Sequence, residues 1–223
     1  MSQIDRSLQL DALGWCVQAS RIPSPNCDER PAPCVIDLLV IHNISLPPGQ
    51  FGGPYIADLF TNTLDASVDP YFEHLQPLRV SSHFLIRRDG ALLQFVSTLQ
   101  RAWHAGVSQF EGRERCNDFS IGIELEGTDT HAFCDDQYAT LCALTDALQR
   151  RHALKSVAGH QHIAPGRKTD PGEFFDWHRY QAQWASGFAT DAPEQGVKMA
   201  LRFAHTVQKT ASNASKKTHK KHD

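Results

Sequence analysis

The 223-residue chain holds twelve histidines, and the segment "GHQHIAPGRKTDPG" (159–172) places two of them, His160 and His162, one residue apart. It adds Lys168 and an aspartate, Asp170, in front of a proline. A third histidine, His42, lies near the end of the apolar run "CVIDLLVIHNI" (34–44). Two imidazoles and one carboxylate are the ligand count of a catalytic zinc site that keeps its fourth position for water. The same donors admit cobalt or manganese. Spacing does not choose between His160 and His162, and a lone histidine at a core edge is also satisfied by a backbone carbonyl. Pro171 biases Asp170 toward extended backbone, and with Pro165 it stiffens the loop that presents the carboxylate.

Other residues fit around such a centre. Lys168 can donate to an oxyanion forming on a substrate carbonyl; on its own it reads as a surface lysine. In "FSIGIELEG" (119–127), Glu124 and Glu126 share one face with Gly122, opposite Ile121, Ile123 and Leu125. They read as a solvated face, unless helices cover that side too. A carboxylate beside a metal then accepts a proton from water and passes it to a leaving nitrogen, with Gly122 leaving room for substrate. "RAWHAG" (101–106) joins an indole, an imidazole and a cation, which suits an aromatic wall or core packing by Trp103.

The elements that must position these groups follow from periodicity. Residues 34–44 read as a strand buried on both faces, and the Asp89-Gly90 dipeptide within 82–96 marks a β-hairpin. Residues 119–127 read as a further strand. Tyr138, Leu141, Cys142, Thr145 and Leu148 form a helical stripe within 135–153, with acids at its start and Arg150, Arg151 and His152 at its end. A shorter helix is predicted over 176–186, and another over 199–207. Residues 21–33, with four prolines, read as an extended lead-in without packing of its own. Together these predict an α/β fold, a central mixed β-sheet flanked by helices. One domain covers 1–187 with its core at about 34–184, and a largely flexible extension covers 188–223.

Composition excludes several classes. With 41% hydrophobic and 21% charged residues the chain suits a globular domain. It lacks a basic start followed by an apolar run, and has no stretch near the ~20 apolar residues of a membrane span. Six cysteines without CxxC spacing read as free thiols of the cytoplasm. The net charge of −3 conceals a basic end: "KKTHKKHD" (216–223) has four lysines and one aspartate, +3, leaving −6 for the rest. A nucleic-acid footprint would rest on that tail alone, so neither nucleic acid nor a membrane is expected as a partner.

The blocks "VIHNISLPPGQFGGPYI", "SSHFLIRRDG", "RAWHAGVS", "GRERCNDFSIGIELEGTDT" and "GHQHIAPGRKTDPG" resemble the amidase and peptidoglycan-recognition-protein superfamily. Within it they are most similar to the cytoplasmic branch that acts on 1,6-anhydro-N-acetylmuramyl-L-alanine. The likeness runs from about Leu13 to Trp184. It implies that His42, His160 and Asp170 hold Zn2+, with His162 left out, and that Glu124 and Lys168 are catalytic. It places Asn43, Tyr71, Arg79, Trp103 and Arg115 in the substrate pocket. The implied reaction is hydrolysis of the muramyl-alanine amide of an anhydromuropeptide in cell-wall recycling, by a monomer. A muropeptide-binding module of the same fold is the competing class; the intact ligand set argues against it. No counterpart is implied for residues 186–223.

Overall fold

A computed structural model gives the fold and describes residues 7–187 and 200–204. In chain order the elements are β1 (Ser20–Arg21), β2 (Cys27–Asp28), β3 (Leu38–Ile44), α1 (Tyr55–Thr61), β4 (Phe84–Ile86), β5 (Leu92–Gln94), β6 (Arg101–Ala102), β7 (Gln109–Phe110), β8 (Arg113–Glu114), β9 (Ser120–Glu126), α2 (Asp135–Arg151), β10 (Ser156–Gly159), α3 (His160–Ile163), α4 (Trp177–Ser186) and β11 (Arg202–Phe203). Among the described residues seven strands make one mixed sheet in the order β1-β5-β4-β9-β3-β10-β11. Only the β4–β5 hairpin is antiparallel within it.

The apolar run at 34–44 becomes the central strand because both its faces have something to pack against. Leu39 and Ile41 join Ile121, Ile123, Leu125, Phe84 and Ile86 in the core beneath α2 and α4. Leu38 and Val40 face the other way, with Ala105, Cys116, Phe119 and Ile163. The α2 stripe supplies Tyr138, Leu141, Leu144 and Leu148 to the first of these layers, as its spacing of three and four residues requires. The hairpin turns at Gly90, whose φ of 80° lies where side chains are disfavoured. Its turn is closed by the Arg87 amide donating to the Ala91 carbonyl at 2.9 Å.

Two expectations change. The 21–33 segment is packed: Ser24 and Asn26 are buried, β2 pairs with β6, and Arg30 donates to the carbonyls of Asn117, Asp118 and Ser120 at 2.8–3.0 Å. Burial lowers the Arg30 pKa to about 10, yet three carbonyl acceptors still suit a cation. The prolines keep the segment out of helix and leave its polar side chains to make these bonds. Within 188–223, residues 202–203 are strand rather than helix: β11 pairs with β10, and Phe203 packs on Tyr180 and Trp184. Residues 188–199 and 205–223 of the extension, with the basic tail and the flexibility expected of it, lie outside the described residues. Helix α1 went unread in the sequence although Ile56, Leu59 and Phe60 are its buried face.

Candidate active site

Strand register brings the acidic and imidazole groups together. His42 on β3 is the partner of Glu124 on β9, and Glu124 is the partner of Leu85 on β4. Partners in adjacent strands point to the same face about 5 Å apart. Gly159 pairs with Ile41, so His160 follows in line with His42 where β10 gives way to α3. The groups gather near the carboxyl ends of parallel strands, where open α/β sheets place their sites. Asp170 arrives from the loop after α3, where its carbonyl accepts from the Gln161 amide at 2.9 Å.

Three ligand atoms converge. His42 Nδ1 lies 3.0 Å from His160 Nδ1 and 3.0 Å from Asp170 Oδ2, and His160 Nδ1 lies 3.1 Å from that oxygen. Proton bookkeeping decides what this triangle is. His160 Nε2 is 3.1 Å from the Ala105 carbonyl, to which it can only donate, and in the neutral ring that leaves Nδ1 as the lone-pair nitrogen. Ser120 gives its hydroxyl proton to the Cys116 carbonyl at 2.5 Å. It therefore accepts from His104 Nε2 at 3.2 Å, which leaves His104 Nδ1 to accept from His42 Nε2 at 3.0 Å. Burial depresses the His42 pKa to about 4 and that of His104 well below its ordinary value, and neighbouring rings lower His104 further. Both rings are neutral, so the Nδ1 of His42 is bare as well.

Two nitrogen lone pairs and a carboxylate oxygen thus face one another at 3.0–3.1 Å with no proton between them. Such a set is repulsive without a cation. The spacing approaches the ~3.3 Å between tetrahedral zinc ligands with bonds of about 2.0–2.1 Å. His42, His160 and Asp170 therefore fit a divalent metal.

Glu124 stands beside this triangle. It is 8% exposed, and its Oε2 is buried without a hydrogen-bond partner. Burial first and then the Asp170 charge push its pKa well above the carboxylate range, while Lys168 pulls the other way. Glu126 on the same face has a different task, accepting from Arg87 Nη1 at 2.8 Å and from the Gly52 amide at 2.7 Å, which ties down the loop after β3. The triangle, Glu124 and Lys168 open into a cleft of about 750 Å³. One wall is apolar, from Leu46, Leu59, Phe60, Leu75, Leu78 and Val80; the other is polar, from Thr128 to His131 and Arg167 to Thr169.

Residues 31–173 match the N-acetylmuramoyl-L-alanine amidase family. The chain belongs to it. The 1,6-anhydro-N-acetylmuramyl-L-alanine amidase AmpD of Citrobacter freundii is 58% identical over 171 residues, 76% of this chain and 91% of that one. A crystal structure of a Se-Met AmpD derivative superposes with a TM-score of 0.74 at 57% identity, covering 78% of this chain and 97% of that chain. The Escherichia coli amidase AmiD, in complex with its substrate anhydro-N-acetylmuramic acid-L-Ala-D-gamma-Glu-L-Lys, superposes at 0.50 with 27% identity, covering 81% of this chain and 66% of its own. This protein is thus an N-acetylmuramoyl-L-alanine amidase of the AmpD type.

Among the expected substrate residues of this amidase, Asn43, Tyr71 and Trp103 line the cleft. Asn43 donates to Asp129 at 2.6 Å, and Trp103 Nε1 to Asp28 at 3.2 Å. Arg79 and Arg115 are exposed beyond the cleft walls. Arg79 folds back on the carbonyls of Gln76 and Leu78, and Arg115 pairs with Asp118 at 3.2 Å. His162 is turned away to its own α3, where Nδ1 accepts from the Gly159 amide at 2.8 Å and the ring packs on Trp177. Sequence reasoning missed Asp129 and His131 on the polar wall; the Thr-Asp-Thr-His run directly after β9 was the available signal. The room at Gly122 is taken by protein: a Cβ there would lie 2.5 Å from His104 Cγ.

Proposed function

We propose that the chain is a zinc-dependent hydrolase of the amide between 1,6-anhydro-N-acetylmuramic acid and the L-alanine of a stem peptide, working in cell-wall recycling. The observation that carries this reading is the convergence of three proton-free ligand atoms beside a buried, partnerless carboxylate oxygen. His42, His160 and Asp170 hold the metal. Two neutral imidazoles and one carboxylate favour zinc; when bound, zinc supplies Lewis-acid activation of the scissile carbonyl and of water.

Glu124 takes the proton of the attacking water. Its raised pKa lets it keep that proton until the alanine nitrogen departs, to which it then delivers it. Lys168, at the cleft rim, donates to the carbonyl oxygen as it gains negative charge. Asn43, Tyr71 and Trp103 hold the substrate in the cleft. Arg79 and Arg115, which stand outside the cleft lining, are assigned as further substrate contacts on the resemblance alone. The catalytic unit is residues 1–187, acting as a monomer in the cytoplasm; six free thiols favour that compartment. No helix among the described residues is long and apolar enough to cross a membrane.

Metal-loaded protein incubated with anhydromuropeptide should release free peptide, detected by mass, and a chelator should stop it until zinc is restored. Binding without release would instead make the chain a recognition module. Asp170→Ala should lose both zinc and turnover. Glu124→Ala should keep zinc and lose turnover about 10²–10⁴-fold; loss of zinc from that variant would make Glu124 a ligand.

A further inference from the structure

We propose that His104 is a positioning residue for the metal ligand His42, and that the short tract from Trp103 to Gly106 orients both ligand imidazoles at once. The proposal rests on the metal reading of His42, His160 and Asp170. Each ligand ring offers Nδ1 to the triangle and directs Nε2 into this one tract. His42 Nε2 reaches the His104 ring at 3.0 Å, edge-on with an interplanar angle of 88°. His160 Nε2 reaches the Ala105 carbonyl at 3.1 Å. A metal-bound imidazole gains basicity and a fixed orientation from the acceptor on its far nitrogen.

The tract itself is held on every side. Asn117 Oδ1 accepts from the amides of His104 and Ala105 at 3.1 and 2.8 Å. Arg167 donates to the Ala105 carbonyl at 2.8 Å and to that of Val107 at 2.6 Å. Ser120, itself committed to the Cys116 carbonyl, fixes which nitrogen of His104 is bare. Gly122, the register partner of Val40, is the only residue type that admits the His104 ring at this point, since a Cβ would meet Cγ at 2.5 Å and Nδ1 at 2.7 Å.

The test uses the full chain stripped of metal and titrated with Zn2+ against a competing chromophoric chelator, with Co2+ substitution read by visible absorption. His104→Ala should weaken zinc about 10–100-fold and shift the cobalt bands. His104→Asn, whose Oδ1 falls near the Nδ1 position and accepts the same proton, should recover most of that loss. Gly122→Ala, which displaces the ring without removing any hydrogen-bonding group, should weaken zinc as well. Melting of each metal-free variant shows whether it folds; if His104→Ala does not, His104→Asn and Gly122→Ala carry the comparison. Folded Gly122→Ala, together with any folded His104 variant, binding zinc within twofold of wild type with the wild-type cobalt spectrum overturns the proposal. Asp170→Ala is the reference that separates the two levels: zinc binding unchanged in that variant sinks the triad itself, and the positioning role with it.

Discussion

Burying a carboxyl group without a hydrogen-bond partner costs stability once it ionises, and Glu124, the proposed base, makes that cost measurable. Its folded pKa is raised by burial and by Asp170, so the native state binds more protons there than the unfolded chain. Stability is then lost as pH rises from about 4.5 through the folded pKa. In metal-free protein, Glu124→Gln should therefore melt higher than wild type at neutral pH, with the difference vanishing near pH 4; thermal melts across that range decide it. Lys168→Ala belongs to the same scale. Removing one oxyanion donor should lower kcat about 10²–10³-fold while zinc content stays at the wild-type value. A KM change without a kcat change would place Lys168 in substrate binding instead.

At the scale of elements, the site depends on parallel pairing, which aligns His42 with Glu124 and sets His160 one step past the Gly159–Ile41 pair. Strand β11 supports β10 from its other edge, and Phe203 is 1% exposed against Tyr180 and Trp184. Phe203→Ala should destabilise the fold by about 3–5 kcal/mol, read by denaturant unfolding. The hairpin is similarly constrained: at Gly90, with φ of 80°, a Cβ would lie 3.0 Å from the Asp136 carbonyl. Local pattern made β3, β9, α2 and the hairpin legible: a continuous apolar run, a strict alternation, a stripe at helical spacing and an Asp-Gly turn are all written along the chain. It failed for 21–33 and for β11, which are short and take their structure from long-range partners.

For the whole molecule, the extension after residue 187 divides into a part that packs and a part without a catalytic assignment. Deleting 188–223 removes β11 and uncovers Tyr180 and Trp184, so the midpoint of thermal unfolding should fall by several degrees. Deleting only 208–223 should leave both stability and amidase turnover at wild-type values. A drop in turnover with the shorter deletion would give the basic tail a part in substrate capture.

By itself the sequence determined which groups were available: a histidine near the end of a strand, a His-x-His pair, an aspartate before proline, and glutamates on one strand face. These are local properties, carried by residue type and a period of two. Spacing alone left His160 and His162 open and only the resemblance favoured His160; the physical difference between them is tertiary, since His162 is engaged by the Gly159 amide and Trp177 while His160 is drawn to Ala105. Glu124 and Glu126, alike in strand pattern, likewise differ physically through tertiary contacts, Glu126 being engaged by Arg87 and the Gly52 amide. So did the role of His104, whose ring lies on Gly122 and meets His42, 62 positions away along the chain. The lone pair an imidazole presents is set by whatever takes its other proton, and that acceptor comes from wherever folding brings the backbone.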